Sequence, residues 1–75
     1  QAEQVKVLAV PENKAAYNAA LRVAQALRGE GKVVEMELVE RSTDERMAYA
    51  RARGIQQVVV VDAKGRTVKR SVEEE

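Results

Sequence analysis

Hydrophobic and polar positions along this chain repeat with two different periods, and the switches between them mark out six elements. Val5-Lys-Val-Leu-Ala-Val10 is a short apolar run broken only by Lys6, the pattern of a strand covered on both faces. Pro11 brings no ladder donor, so the strand ends at Val10 or just beyond. From about residue 14 to 28 the spacing becomes helical. Ala16, Ala20, Ala24 and Leu27 form one stripe, widened by Tyr17, Leu21 and Val23. A cap near Glu12 or Asn13 starts this helix, and a left-handed glycine, Gly29 or Gly31, stops it.

Period two returns over Lys32 to Glu40. Val34, Met36 and Leu38 predict a packed face, and Glu35 and Glu37 a wet one. Two glutamates on one face also oppose edge-to-edge pairing, which suits an edge strand. Ser42-Thr-Asp-Glu45 has the form of a capping box and opens a second helix that runs to Gly54. Its apolar lines are expected at Ala48, Ala52 and Ile55 and at Met47 and Ala50, with Arg46 and Arg53 toward water.

Val58 to Val61 are four consecutive β-branched residues and read as a central strand. Asp62-Ala-Lys-Gly65 predicts a type I turn closed by a left-handed glycine. Thr67, Lys69 and Ser71 then alternate with Val68, Arg70 and Val72 in a short last strand, and Glu73 to Glu75 form an acidic tail. The order β-α-β-α-β-β predicts a single α/β domain built on a small mixed sheet. Right-handed crossovers give the strand order 2-1-3-4, with the last strand antiparallel and the two helices on opposite faces.

Composition narrows the function. At 75 residues the chain buries only about 60% of its extended surface, so a large enclosed substrate cavity is not expected. There is no cysteine and no histidine. That removes thiolate nucleophiles, imidazole bases and the commonest metal ligands, and neither a metal nor a cofactor is expected. No apolar run approaches the roughly 20 residues of a membrane span, and no signal-peptide pattern opens the chain. With Gln1 rather than Met at the start, the expectation is a cytoplasmic piece of a larger protein.

Charge is balanced in total and uneven in place. The formal net charge is +1, which does not favour strong autonomous binding to a nucleic-acid backbone. Residues 1–40 carry five basic and six acidic side chains, whereas residues 41–70 carry eight basic and three acidic. Arg41, Arg46, Arg51, Arg53, Lys64, Arg66, Lys69 and Arg70 supply that excess. Arg46, Arg51, Arg53, Lys64 and Arg66 are the candidate contacts to an RNA backbone. Stacking support is thin, because Tyr17 and Tyr49 are the only aromatic residues.

The catalytic inventory is thinner still. Glu12, Asp44, Glu45 and Asp62 fall near the carboxyl ends of strands, where open α/β sheets bind ligands. Asp44 and Glu45 also suit a helix start, however, and Asp62 suits a turn. Ser42 and Ser71 have no histidine to activate them. Gly29-Glu-Gly31 follows a helix rather than a strand, so it reads as a helix stop and not as a phosphate cradle. The two helix starts could hold an anion weakly. An enzyme is not expected from these residues.

Val7-Leu-Ala-Val-Pro11, Ala19-Ala-Leu-Arg-Val-Ala-Gln-Ala-Leu-Arg-Gly-Glu-Gly31 and Met47-Ala-Tyr-Ala-Arg-Ala-Arg-Gly-Ile55 together resemble the class II anticodon-binding domain. The similarity is greatest to the C-terminal domain of the histidyl-tRNA synthetase family and covers about residues 5 to 72. It implies an anticodon-binding-domain-like fold without catalytic residues, attached to a parent-chain catalytic-like domain. That family normally continues through a further strand and a terminal helix, and its turn after the third strand is usually longer. Both departures resemble the regulatory-subunit paralogue of ATP phosphoribosyltransferase, which serves histidine biosynthesis. The leading expectation is therefore an assembly or regulatory domain whose parent associates with the ATP phosphoribosyltransferase catalytic subunit. The alternative is tRNA binding within a histidyl-tRNA synthetase.

Overall fold

A computed structural model describes residues 5–72; the expected acidic tail at 73–75 lies outside the described residues. The elements are β1 (Lys6–Pro11), a 3-10 turn (Lys14–Ala16), α1 (Tyr17–Gly29), β2 (Val33–Met36), α2 (Thr43–Ala52), β3 (Gln57–Val61) and β4 (Thr67–Ser71). The sheet order is β2-β1-β3-β4, with β1 parallel to β2 and β3, and β3 antiparallel to β4. This is the small mixed α/β sheet expected from the order of elements.

Because side chains alternate across a sheet, β1 and β3 each feed two cores. Val7, Ala9, Val59 and Val61 meet Ala19, Ala20 and Ala24 of α1 on one face. Leu8, Val10 and Val58 meet Ala50 of α2 and Ile55 on the other. The helices therefore cover opposite faces. At Ala19, Ala20 and Ala24 the helix brings only methyl groups to the centre of the contact, which permits close approach there, while Val23 and Leu27 pack at its margin.

Local chemistry sets the boundaries. The Asn13 side chain accepts from the Ala16 amide at 3.1 Å and starts the 3-10 turn that leads into α1. The left-handed stop falls at Gly31, with φ +91°, while Gly29 is the last helical residue. The hairpin closes as expected. Gly65, at φ +86°, donates to the Asp62 carbonyl at 3.0 Å, and the Asp62 amide donates to the Arg66 carbonyl at 2.9 Å.

Several expectations are corrected, the first three around the second strand. The second strand stops at Met36 instead of continuing to Glu40, because the Glu37 amide makes a last bond to the Ala9 carbonyl before the chain turns away toward α2. The Glu35–Glu37 face is not wet: it lies on the side of the sheet that α2 covers, and Glu37 is buried. Arg46 does not point into water, since it is one of the two arginines paired with the buried Glu37.

That contact also sets the rotation of α2. Arg46, Tyr49 and Arg53 fall at i, i+3 and i+7 on one stripe toward β2, which turns Ala48 and Ala52 outward to solvent. The packed line is Met47, Ala50 and Ile55. On α1, Tyr17 likewise leaves the expected apolar stripe and is exposed.

Candidate nucleic-acid interface

The connections leaving β1 and β2 run to helices on opposite faces, and where they part they leave a crevice at the carboxyl ends of the strands. Open α/β sheets place ligands at such a divergence. The crevice has a volume of about 840 Å³. Glu12, Asn13, Lys14 and Tyr17 form one wall, and residues 37–42 with Arg46 form the other.

The two walls offer apolar and aromatic surface rather than a concentration of positive charge. Tyr17 is 41% exposed, Leu38 71% and Val39 60%. The residues lining the crevice include three basic ones (Lys14, Arg41, Arg46) and four acidic ones (Glu12, Glu37, Glu40, Glu45), and the enclosed Glu37 carboxylate is paired with two of the three basic groups. Such a lining repels a phosphate chain and suits a flat, neutral group that stacks and donates hydrogen bonds. Unstacked nucleobases are groups of that kind.

Glu37 organises the second wall. Its side chain is 2% exposed, and its two oxygens accept from Arg41 Nη1 at 3.0 Å and Arg46 Nε at 2.8 Å. Arg46 Nη2 also donates to the Arg41 carbonyl at 3.2 Å. A second cluster lies further along the same helix. The Arg41 guanidinium sits 4.0 Å above the Tyr49 ring and that of Arg53 lies 5.4 Å from it. The Tyr49 hydroxyl and Arg53 Nε both donate to Glu35. Donation to Glu35 holds the Tyr49 hydroxyl above its ordinary ionisation range.

The candidate backbone contacts divide between the two ends of the sheet. Because β1 and β3 are parallel and Pro11 pairs with Val61, the hairpin carrying Lys64 and Arg66 stands at the same end as the crevice. The first turn of α2, with Arg46, is there too. Arg51 and Arg53 occupy the other end of α2, where Gln56 bonds back to Lys6. Arg46, Arg53 and Arg66 are engaged by Glu37, Glu35 and Asp62. Among the described residues Arg51 and Lys64 form no ion pair, and both are exposed.

The start of α2 is already occupied. The Ser42 hydroxyl accepts from the Glu45 amide at 3.1 Å, and Glu45 accepts from the Ser42 amide at 2.9 Å. The Ser42 amide thereby holds the Glu45 carboxyl below its ordinary range. Asp62 is held low first by the Arg66 amide. These carboxylates perform the structural tasks that the sequence suggests for them. Among the described residues, no three His, Cys, Asp or Glu side chains are grouped to hold a metal, and no helix is long and apolar enough to cross a membrane.

Sequence reasoning missed Tyr17, Leu38 and Val39 as parts of one site. Its one available signal was the break in alternation at Leu38-Val39, two adjacent apolar residues just before a capping box.

Comparison with known proteins agrees with this architecture. Residues 4–73 match the anticodon binding domain family, and the chain belongs to that family. It is 34% identical over 79% of its length to a histidine–tRNA ligase of Methanococcus maripaludis. To the histidine–tRNA ligase of Methanocaldococcus jannaschii it is 32% identical over 83%. The chain spans only 14% and 15% of those two relatives. In fold it is similar to the crystal structure of histidyl-tRNA synthetase from Nostoc sp. PCC 7120, with a TM-score of 0.71, 20% identity, and coverage of 93% of this chain and 20% of that one.

Proposed function

We propose that this domain binds the anticodon end of a tRNA, that of histidine, as an accessory domain of a histidyl-tRNA synthetase-like chain. The observation that carries this reading is the exposed aromatic and apolar lining of the crevice in a domain of the anticodon-binding family. Tyr17 stacks an unpaired base, and Leu38 and Val39 cover its other side. Glu12 accepts from the donor groups of a base edge. Phosphates are held outside the crevice by Lys14 on its rim and by Lys64 and Arg66 on the neighbouring hairpin. Arg51 and Arg53, at the far end of α2, form a separate group of backbone contacts, and Arg46 supports the wall from within. Catalysis belongs elsewhere in the parent chain.

The relatives' names support this reading over the regulatory one, in which the parent associates with the ATP phosphoribosyltransferase catalytic subunit. Titration with histidine tRNA at low and then higher salt tests it. Saturable binding is expected. With all five of these phosphate contacts made, log K should fall against log salt with a slope of about −3.5. Absence of binding by the folded domain, together with capture of the phosphoribosyltransferase subunit, would give the function to the regulatory reading.

A further inference from the structure

We infer that Glu37 is a positioning residue for the crevice: its buried carboxylate clamps the two feet of the arch Leu38-Val39-Glu40 and so fixes the apolar wall opposite Tyr17. The inference rests on the RNA-binding reading only for the ligand. The clamp itself stands on geometry.

The arch is an unusual loop. Leu38 and Val39 are the most exposed large hydrophobic residues among those described, and apolar side chains on a loose loop fold down onto the nearest apolar surface. Something must hold the backbone away. At the first foot, the Glu37 amide bonds to the Ala9 carbonyl at 2.9 Å. At the second, Arg41 lies between the clamp and the Ser42 cap. The Glu37 carboxylate then bonds directly to Arg41 and to Arg46 of α2, and Arg46 returns to the Arg41 carbonyl. Both feet are thus tied to each other and to the first turn of the helix.

The chemistry requires a carboxylate. Two guanidinium groups approach two separate oxygens, and each oxygen accepts one of them. A glutamine of nearly equal volume offers one oxygen and turns an amide donor toward the other guanidinium, which has none to accept. The loss therefore falls on the clamp, not on packing volume. Glu37 has no place in contact with the RNA, since its side chain is almost wholly enclosed. Its effect passes through the position of Leu38 and Val39.

The test compares the wild-type chain with Glu37→Gln, and with Val59→Ala as a control that weakens the opposite core. Backbone order parameters are measured by NMR for the arch, and affinity is measured for an anticodon stem-loop of histidine tRNA. In the wild type the arch amides should be rigid, with order parameters of about 0.85, and in Glu37→Gln they should fall below about 0.6. Affinity should fall about tenfold, the scale of one lost base stack. Val59→Ala should change neither.

If Glu37→Gln does not fold, Arg41→Gln removes one grip while leaving the Arg46 pair, and it should loosen the same three residues. An arch that stays rigid in the folded variant overturns the inference. So does equal loosening in Val59→Ala. If the wild type does not bind RNA, the RNA reading fails, and the order parameters still decide the role of Glu37.

Discussion

The two faces of the sheet are closed by different physics. On the α1 side the helix contributes mainly alanines, and the core of the contact is apolar, with Val7, Ala9, Val59 and Val61 beneath Ala20 and Ala24. Its one side-chain hydrogen bond among the described residues runs from Arg28 to the Val34 carbonyl at its margin. On the α2 side only Ala50 of the helix is fully buried. The rest of that contact is divided. Leu8, Val10, Ile55 and Val58 pack near the middle, and toward β2 the helix meets the sheet through Glu37 with Arg46 and through Glu35 with Tyr49 and Arg53. Beyond β3 this face is open, and Val68, opposite Val60, is 59% exposed. The apolar side fixes the fold, while the charged contacts set the rotation of α2 and the shape of the loop that borders the crevice. Directional bonds serve that second task better, because apolar packing alone permits sliding.

The difference is sharpest in the response to changed volume. Leu8→Ala removes the largest fully buried side chain, on the α2 side, and should cost about 4 kcal/mol. The α1 side should resist the opposite change. Ala20→Val adds volume at a close helix–sheet contact and should cost about 2 kcal/mol through overpacking. Urea unfolding of both variants checks the pair. If Ala20→Val were neutral, the close approach of α1 would be refuted.

Charge variants should show smaller effects. Ser42→Ala deletes half of the capping box and should cost about 1 kcal/mol. The same box gives a pH signature. The Glu45 carboxyl is held below its ordinary range in the fold by bonding at Ser42, so its contribution is complete above about 4.5 and is lost as pH falls through the lowered value. Acid unfolding of Glu45→Gln should lack that share of the loss, whereas Ser42→Ala, which keeps the backbone amide, should retain most of it. Arg53→Ala should cost least, under about 1 kcal/mol, since its pair with Glu35 is open to water. A larger cost would mean that the outer cluster carries as much of the α2 contact as Glu37 does.

Much of the fold was legible because its signals are local or topological. The valine run at 58–61, the capping box at Ser42 and the turn at Asp62 each name their own structure, and handedness supplies the strand order. The charged contact was not legible. Alternation places Glu35 and Glu37 on one face, but it does not say whether water or a helix lies there. Arginines at i and i+7 on a following helix are compatible with either. The crevice was hidden for the same reason. Tyr17 sits at helical spacing with buried alanines, and only the course of the first turn, a 3-10 segment capped by Asn13, brings it out to the rim. The basic excess at 41–70 was visible as composition. Its division between two ends of the sheet depends on the direction of α2.

The most direct measurement of the account is an NMR titration of the chain with an anticodon stem-loop of histidine tRNA, following every amide. Shifts concentrated at Lys14, Tyr17, Leu38 and Val39, with smaller ones at Lys64 and Arg66, are the predicted result. Shifts confined to the open β3–β4 surface around Val60 and Val68, with the crevice unchanged, would contradict it.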